Sequence, residues 1–134
     1  MKVNSMSLGV TKPSKQRKML YQSPAHRLRK LLSAPLSEDL RKNHGRRSYP
    51  VRKGDTVKIV RGDFAGIEGK ITKMDTHKQR IFVEGVTREK VAGTSTNVSV
   101  HASKVRITKL NLDDKWRAES VKLPENKRAA GTGA

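Results

Sequence analysis

The segment Val51–Asp75, VRKGDTVKIVRGDFAGIEGKITKMD, restricts the possible fold more than any other part of the chain. Across Asp55–Arg61, Val57 and Ile59 alternate with polar residues, the period-two signature of a half-buried strand. Gly62-Asp63-Phe64-Ala65-Gly66 interrupts the alternation as a turn, and Glu68–Lys73 restarts a second strand. Two strands alone bury too little apolar surface to persist in water, so others must complete the sheet. Arg80–Glu84, Asn97–His101 and Lys104–Thr108 supply them, with Thr76–Gln79 as a turn and Glu84–Thr96 as a long, basic, glycine-bearing loop. Five short strands suit a small closed barrel better than an open sheet with bare edges. The expected core is Val57, Ile59, Ile71, Val83, Val98, Val100, Val105 and Ile107, with Phe82 or Phe64 plugging an end. All of these lie beyond Pro50, so the barrel is expected to fold without the residues before it.

The basic, alternating residues around Gly62 resemble the KOW motif. KOW segments belong to small SH3-like barrels of ribosomal proteins and of NusG-type transcription elongation factors. The resemblance therefore implies a mainly β fold and a nucleic-acid machine, without choosing between the two.

Charge bears on that choice. The 134 residues carry 30 Lys and Arg against 12 Asp and Glu, a formal net charge of +18. Such a field concentrates phosphate polyanions at the surface. It is uneven: residues 1–53 hold 14 basic against 2 acidic side chains, residues 54–112 hold 11 against 6, and residues 113–134 hold 5 against 4. Three regions follow: a basic N-terminal arm with short helices (1–49), the barrel (50–112) and a polar C-terminal extension (113–134). Residues 1–22 contain few large apolar groups and read as an extended arm. A first helix is expected from Ser23-Pro24, serine capping and proline opening, with Leu28, Leu31 and Leu32 on one face until Ala34-Pro35 stops it. A second fits Ser37–Asn43, with Ser37 as cap, Glu38 and Asp39 in the first turn and Gly45 as stop. Both are too short to hold alone in water, so a polyanion is expected to order them. Trp116 reads as a packing anchor, and the last residues as disordered.

Other functions fail on residue type or spacing. The chain has no cysteine, which removes disulfides, zinc knuckles and thiol catalysis and suits a reducing compartment. No apolar run is long enough for a membrane span, and Met1–Val10 lacks the apolar stretch of a signal peptide, so a cytoplasmic protein is expected. His26, His44, His77 and His101 lack metal-ligand spacing, and the pairs Glu38-Asp39 and Asp113-Asp114 diverge as chain neighbours. Gly62–Lys70 breaks the phosphate-loop pattern at Phe64 and Ile71. Neither an enzyme, a metal site, a cofactor nor a small-molecule substrate is expected. With 4% aromatics, the chain lacks the aromatic strand cluster of a single-strand base reader, and no helix-turn-helix or basic zipper is present. Basic arms and loops suit a folded RNA read by shape and phosphate, although charge alone does not separate RNA from DNA.

Beyond the KOW segment, several ordered blocks resemble one family: Pro13–Lys18, Leu36–Arg41, Tyr49–Asp55, Val83–Thr87 and Leu110–Arg117. It is the large-subunit ribosomal protein family called L twenty-four in archaea and bacteria and L twenty-six in eukaryotes, and the likeness spans roughly residues 11–117. The long arm and the Asp-Asp-Lys-Trp-Arg block (113–117) resemble its archaeal and eukaryotic branch, and the short tail favours an archaeal source. One departure is His101-Ala102-Ser103, where that branch usually has His-Pro-Ser. The resemblance implies a structural constituent of the large ribosomal subunit, located on cytoplasmic ribosomes. Its partners would be large-subunit rRNA (the 5′ domain, early in assembly, near the nascent-chain exit) and neighbouring large-subunit proteins. Phosphate contacts are expected from Lys12, Lys15, Arg17, Lys18, Arg27, Arg29, Lys30, Arg46, Arg47, Arg52, Lys53 and Arg61. Gly62, Phe64, Thr87, Arg88 and His101 are expected to make close backbone or edge contacts. The rival reading is the KOW domain of a transcription elongation factor. Those normally follow an α/β domain that residues 1–50 cannot build. A protein-binding SH3-like module would need a surface aromatic groove, which the few aromatics do not favour.

Overall fold

The computed structural model describes residues 10–122. The first nine residues of the arm and the tail from residue 123 lie outside it, including the segment expected to be disordered. Four helices are described: α1 (Pro13–Tyr21), α2 (Ala25–Leu31), α3 (Glu38–His44) and α4 (Lys115–Val121). Seven strands are β1 (Ser33–Pro35), β2 (Ser48–Pro50), β3 (Thr56–Ile59), β4 (Glu68–Asp75), β5 (Arg80–Glu89), β6 (Ser95–His101) and β7 (Val105–Lys109).

The fold is mainly β, as expected, but the ladder is not closed into a barrel. The five longer strands form one antiparallel sheet in the order β6-β5-β4-β3-β7, and β1 pairs with β2 separately. β6 and β7 are joined by a 3-10 turn over Ala102–Lys104 without pairing along their length. The outer edge of β7 is covered differently. Leu36 lies alongside Ile107 in an isolated parallel bridge, and the Ser37 amide donates to the Ile107 carbonyl at 2.9 Å. The segment before the sheet thus covers an edge that would otherwise offer unpaired backbone groups.

The expected loop Glu84–Thr96 is largely strand. β5 runs on to Glu89 and pairs with β6 through Thr87–Asn97, Arg88–Thr96 and Glu89–Ser95, leaving a short turn closed by Lys90 and Thr94. The ladder shifts between Phe82 and Thr87, where Gly85 takes φ +83°. This irregularity resets the alternation, so Val86, three residues after Val83, is again buried.

Residues 13–21 are helical rather than extended. Pro13 presets the first turn, and the following Lys, Gln, Arg, Met and Leu side chains all favour helix; none is buried, so no apolar face announced it. α2 starts one residue later than expected: Pro24 occupies the cap, while the Ser23 hydroxyl donates back to the Met19 carbonyl. Its helix stops at Leu31, and Ala34 and Pro35 fall in β1. α3 follows its sequence signals, with the Leu40 amide donating to Ser37 Oγ and Gly45 left-handed at the end.

Every expected core residue is buried except Val98, which is half-buried against the core beside Phe64. Phe82 is also half-buried. The core is larger than the strands alone. Leu32, Ala34, Leu36 and Tyr49 precede Pro50 and are fully or almost fully enclosed, and Val121 joins from α4. The expectation that all core positions follow Pro50 therefore fails, because the chain entering the sheet is itself one of its walls.

One ion pair ties these parts together. Asp55, immediately before β3, and Arg117, in α4, have side chains 0% and 3% exposed. Arg117 Nη1 and Nη2 donate to the two carboxylate oxygens of Asp55, each at 2.6 Å. The Arg52 and Asn111 amides each donate to the same carboxylate at 2.9 Å. Arg117 also donates to the Asn111 carbonyl at 2.6 Å and the Pro50 carbonyl at 3.3 Å, with its guanidinium 5.4 Å from the Tyr49 ring centre. The Tyr49 hydroxyl bonds the Ser120 hydroxyl.

Removing residues 1–49 deletes four core side chains, so a chain starting at Pro50 is expected to lose its cooperative urea transition. One starting at Ser23 should keep it, since α1 buries nothing. Asp55→Asn leaves a buried guanidinium without its counter-charge, at a cost of about 3–5 kcal/mol, read as an earlier urea midpoint.

Candidate nucleic-acid interface

Most of the expected contact residues are exposed, but they do not form one patch. Lys12 precedes α1, and Lys15, Arg17 and Lys18 project from it, all exposed. In α2, Arg29 and Lys30 are exposed and Arg27 is half-buried. Leu28 is the side of that helix turned inward, which leaves its cations outside. Arg46 and Arg47 are exposed between α3 and β2, with the Arg46 guanidinium 5.8 Å from the Tyr49 ring centre. Lys53 is exposed in the turn before β3.

Arg52 differs from these. Its guanidinium bonds Asp114, whose carboxylate also accepts from the Trp116 amide at the start of α4. The bond from Arg52 holds the Asp114 carboxyl below the usual aspartate range. A depressed folded-state pKa makes this contribution present above the ordinary aspartate value and lost as pH falls through the lower one. Arg52 is thus committed to holding α4 in place. The Asp113–Arg117 block is structural in the same way: Asp114 caps α4 and Arg117 is buried, while Trp116 is 80% exposed and anchors no core.

Four expected residues do converge. Arg61, Gly62, Phe64 and His101 line a depression of about 200 Å³ between the turn after β3 and the end of β6. Arg80, Ser99 and Lys104 also line it, and sequence reasoning missed all three; the pairing of Arg80 with His101 across β5 and β6 is what delivers the first. The Val60 and Arg61 amides bond the Lys104 carbonyl, fixing the turn against the β6–β7 connection. The Ser103 amide donates to His101 Nδ1 at 3.2 Å, and the Ser103 hydroxyl lies 2.7 Å from the same nitrogen. Accepting at Nδ1 places the proton of a neutral ring on Nε2, as a donor. This same bond caps the 3-10 turn that Ala102 opens, so the turn forms with alanine where proline was expected.

Thr87 and Arg88 are elsewhere. They sit on the far part of β5, seven residues along the strand from Arg80, or roughly 23 Å at the usual rise. They are exposed on the ribbon formed with β6, whose tip carries Val91.

Among the described residues, no group of His, Cys, Asp and Glu is arranged to hold a metal ion, and no helix is long and apolar enough to cross a membrane. The cations remain available. Only two ion pairs occur among the described residues, and they engage Arg52 and Arg117.

Comparison with known proteins gives a consistent result. Residues 10–123 match the family described as "Ribosomal proteins L26 eukaryotic, L24P archaeal". A protein named large ribosomal subunit protein uL24 from Korarchaeum cryptofilum is 52% identical over 106 residues, covering 79% of this chain and 81% of the relative. Its namesake from Saccharolobus solfataricus is 50% identical over 117 residues, covering 87% of this chain and 97% of the relative. The Sulfolobus acidocaldarius protein of the same name is 48% identical over 118 residues, covering 88% of each.

Gly62 has φ +102° and nothing within 4 Å of where a Cβ would stand. The Cβ of Gly62→Val therefore meets no clash, and the substitution is penalised by torsion, because a β-branched residue resists positive φ. A loss of about 1–3 kcal/mol is expected, read by urea denaturation.

Proposed function

The chain belongs to the ribosomal protein L26 family, and on that premise we propose that it is a structural constituent of the large ribosomal subunit that binds rRNA on cytoplasmic ribosomes. It acts by charge and shape and catalyses nothing. The observation that carries this reading is the number of exposed cations without an acidic partner. Lys12, Lys15, Arg17, Lys18, Arg29, Lys30, Arg46, Arg47, Lys53 and Arg61 are all exposed, and among the described residues none is in an ion pair. Fixing so many like charges on one small domain raises its free energy through self-repulsion, which a polyanion relieves.

The division of labour follows from the fold. α1 and α2 present cations on short helices that bury little, suited to lying between RNA helices where phosphates crowd. The sheet, fixed by the Asp55–Arg117 pair, supplies a rigid body that sets where those helices enter. The RNA is the 5′ domain of the large-subunit rRNA, bound early in assembly near the nascent-chain exit, with neighbouring large-subunit proteins as further partners.

Filter binding of the full chain to a 5′-domain rRNA fragment tests the mechanism. Six to ten phosphate contacts are expected to cost about 10³- to 10⁵-fold in affinity between 50 and 200 mM salt. A flat salt dependence would overturn it. Sedimentation of the native protein with the large subunit, surviving moderate salt, is the expected result for the cellular role; migration with RNA polymerase would instead place it in transcription.

A further inference from the structure

A second concavity, of about 760 Å³, lies between the arm and the turn joining β4 to β5. Leu20, Tyr21, His77, Lys78, Arg80 and Ser99 are among its walls. Arg80 and Ser99 also line the depression at Gly62 and Phe64, so the two abut across these residues. Taken together, the two concavities make a track in which Tyr21 lines one part, Phe64 the other and Arg80 both.

Its chemistry is specific. Lys78, Arg80, Arg61 and Lys104 face it, and Asp63 is the one acid among its lining residues. Tyr21 is 81% exposed and Leu20 38%, so the end of α1 leaves an aromatic ring and an aliphatic chain uncovered beside these cations. The turn carrying His77 and Lys78 is held in shape by the Lys78 amide donating to Asp75 Oδ1 at 3.1 Å, which keeps the Asp75 carboxyl below its ordinary range. At the other end, His101 and Ser99 line the same depression as the half-buried Phe64.

We propose that this track binds a short stretch of unpaired RNA, with bases stacked on Tyr21 and Phe64 and the intervening phosphate held by Arg80. The proposal rests on the RNA-binding reading above and narrows its ligand. A duplex keeps its base faces inside and presents phosphates on a convex surface, so it leaves the rings of Tyr21 and Phe64 without a stacking partner. Unpaired nucleotides offer both faces for stacking and follow a groove with their backbone.

The test uses the full-length, isotope-labelled chain at 150 mM salt, titrated with hexauridylate and separately with a 12-base-pair RNA duplex, followed by amide NMR. Saturable shifts at Gly62, Arg80, Ser99 and His101 are expected with the hexamer, and shifts centred on α1 and α2 with the duplex. Tyr21→Ala and Arg80→Gln, both at exposed positions, should each weaken hexamer binding by about 5- to 100-fold, with Tyr21→Phe restoring it and duplex affinity little changed. Equal shifts in the track from the duplex, or variants that bind the hexamer normally, would overturn the track. If the chain binds the rRNA fragment with a steep salt dependence but ignores the hexamer, only the track fails. If it binds neither, the RNA-binding reading fails with it.

Discussion

The Asp55–Arg117 pair is the contact on which the remaining arrangement depends. A carboxylate with no exposed surface is costly to desolvate, and here four donors meet it: two guanidinium nitrogens and the amides of Arg52 and Asn111. The four donors come from three different places. Arg52 belongs to the turn entering β3, Asn111 to the segment leaving β7, and Arg117 to α4. One side chain therefore holds the entry to the sheet, the exit from it and the last described helix in a single geometry. Replacing the pair with apolar residues would strand two backbone amides, so the usual gain from such swaps is not available here.

That centre separates two kinds of basic residue. Arg117 and Arg52 spend their charge internally and belong to the architecture. Among the described residues, the lysines and arginines of α1, α2 and the turns are in no ion pair, and their charge is directed outward. Composition cannot make this distinction, because both kinds contribute equally to a net charge of +18. Position in the fold makes it, and it moves Arg52 from the surface set to the scaffold.

Much of the fold was legible from local pattern. Val57 and Ile59, or Val105 and Ile107, alternate cleanly because each strand has one buried face, and Ser37 and Gly45 mark the ends of α3 by known cap chemistry. What escaped was non-local. The β5 extension was hidden because Gly85 breaks the alternation at the point where the strand continues. The edge-covering role of Leu36 depends on a contact with Ile107 across 71 positions of sequence, and no periodicity records it. The candidate interface divided likewise. Arg61, Gly62 and Phe64 were found through one compact motif, whereas Arg80, Ser99 and Lys104 reach the same depression through pairing and a turn. The few aromatics argued against a single-strand reader as a matter of count, but Tyr21 and Phe64 flank one track because two cavities meet at Arg80.

The separation between the two partners of the buried pair also has a temporal meaning. Asp55 and Arg117 are 62 residues apart. At a synthesis rate of about 5–20 residues per second, that interval is roughly 3–12 seconds. During it, β3 to β7 are made while their central carboxylate lacks its cation, so the sheet has every strand but not the group that neutralises its interior. The basic arm, in contrast, emerges before the sheet and needs no later residue to present its charge. A growing chain of this kind is able to engage a polyanion by the arm before its own body has locked, and the last described helix then acts as a late step of folding.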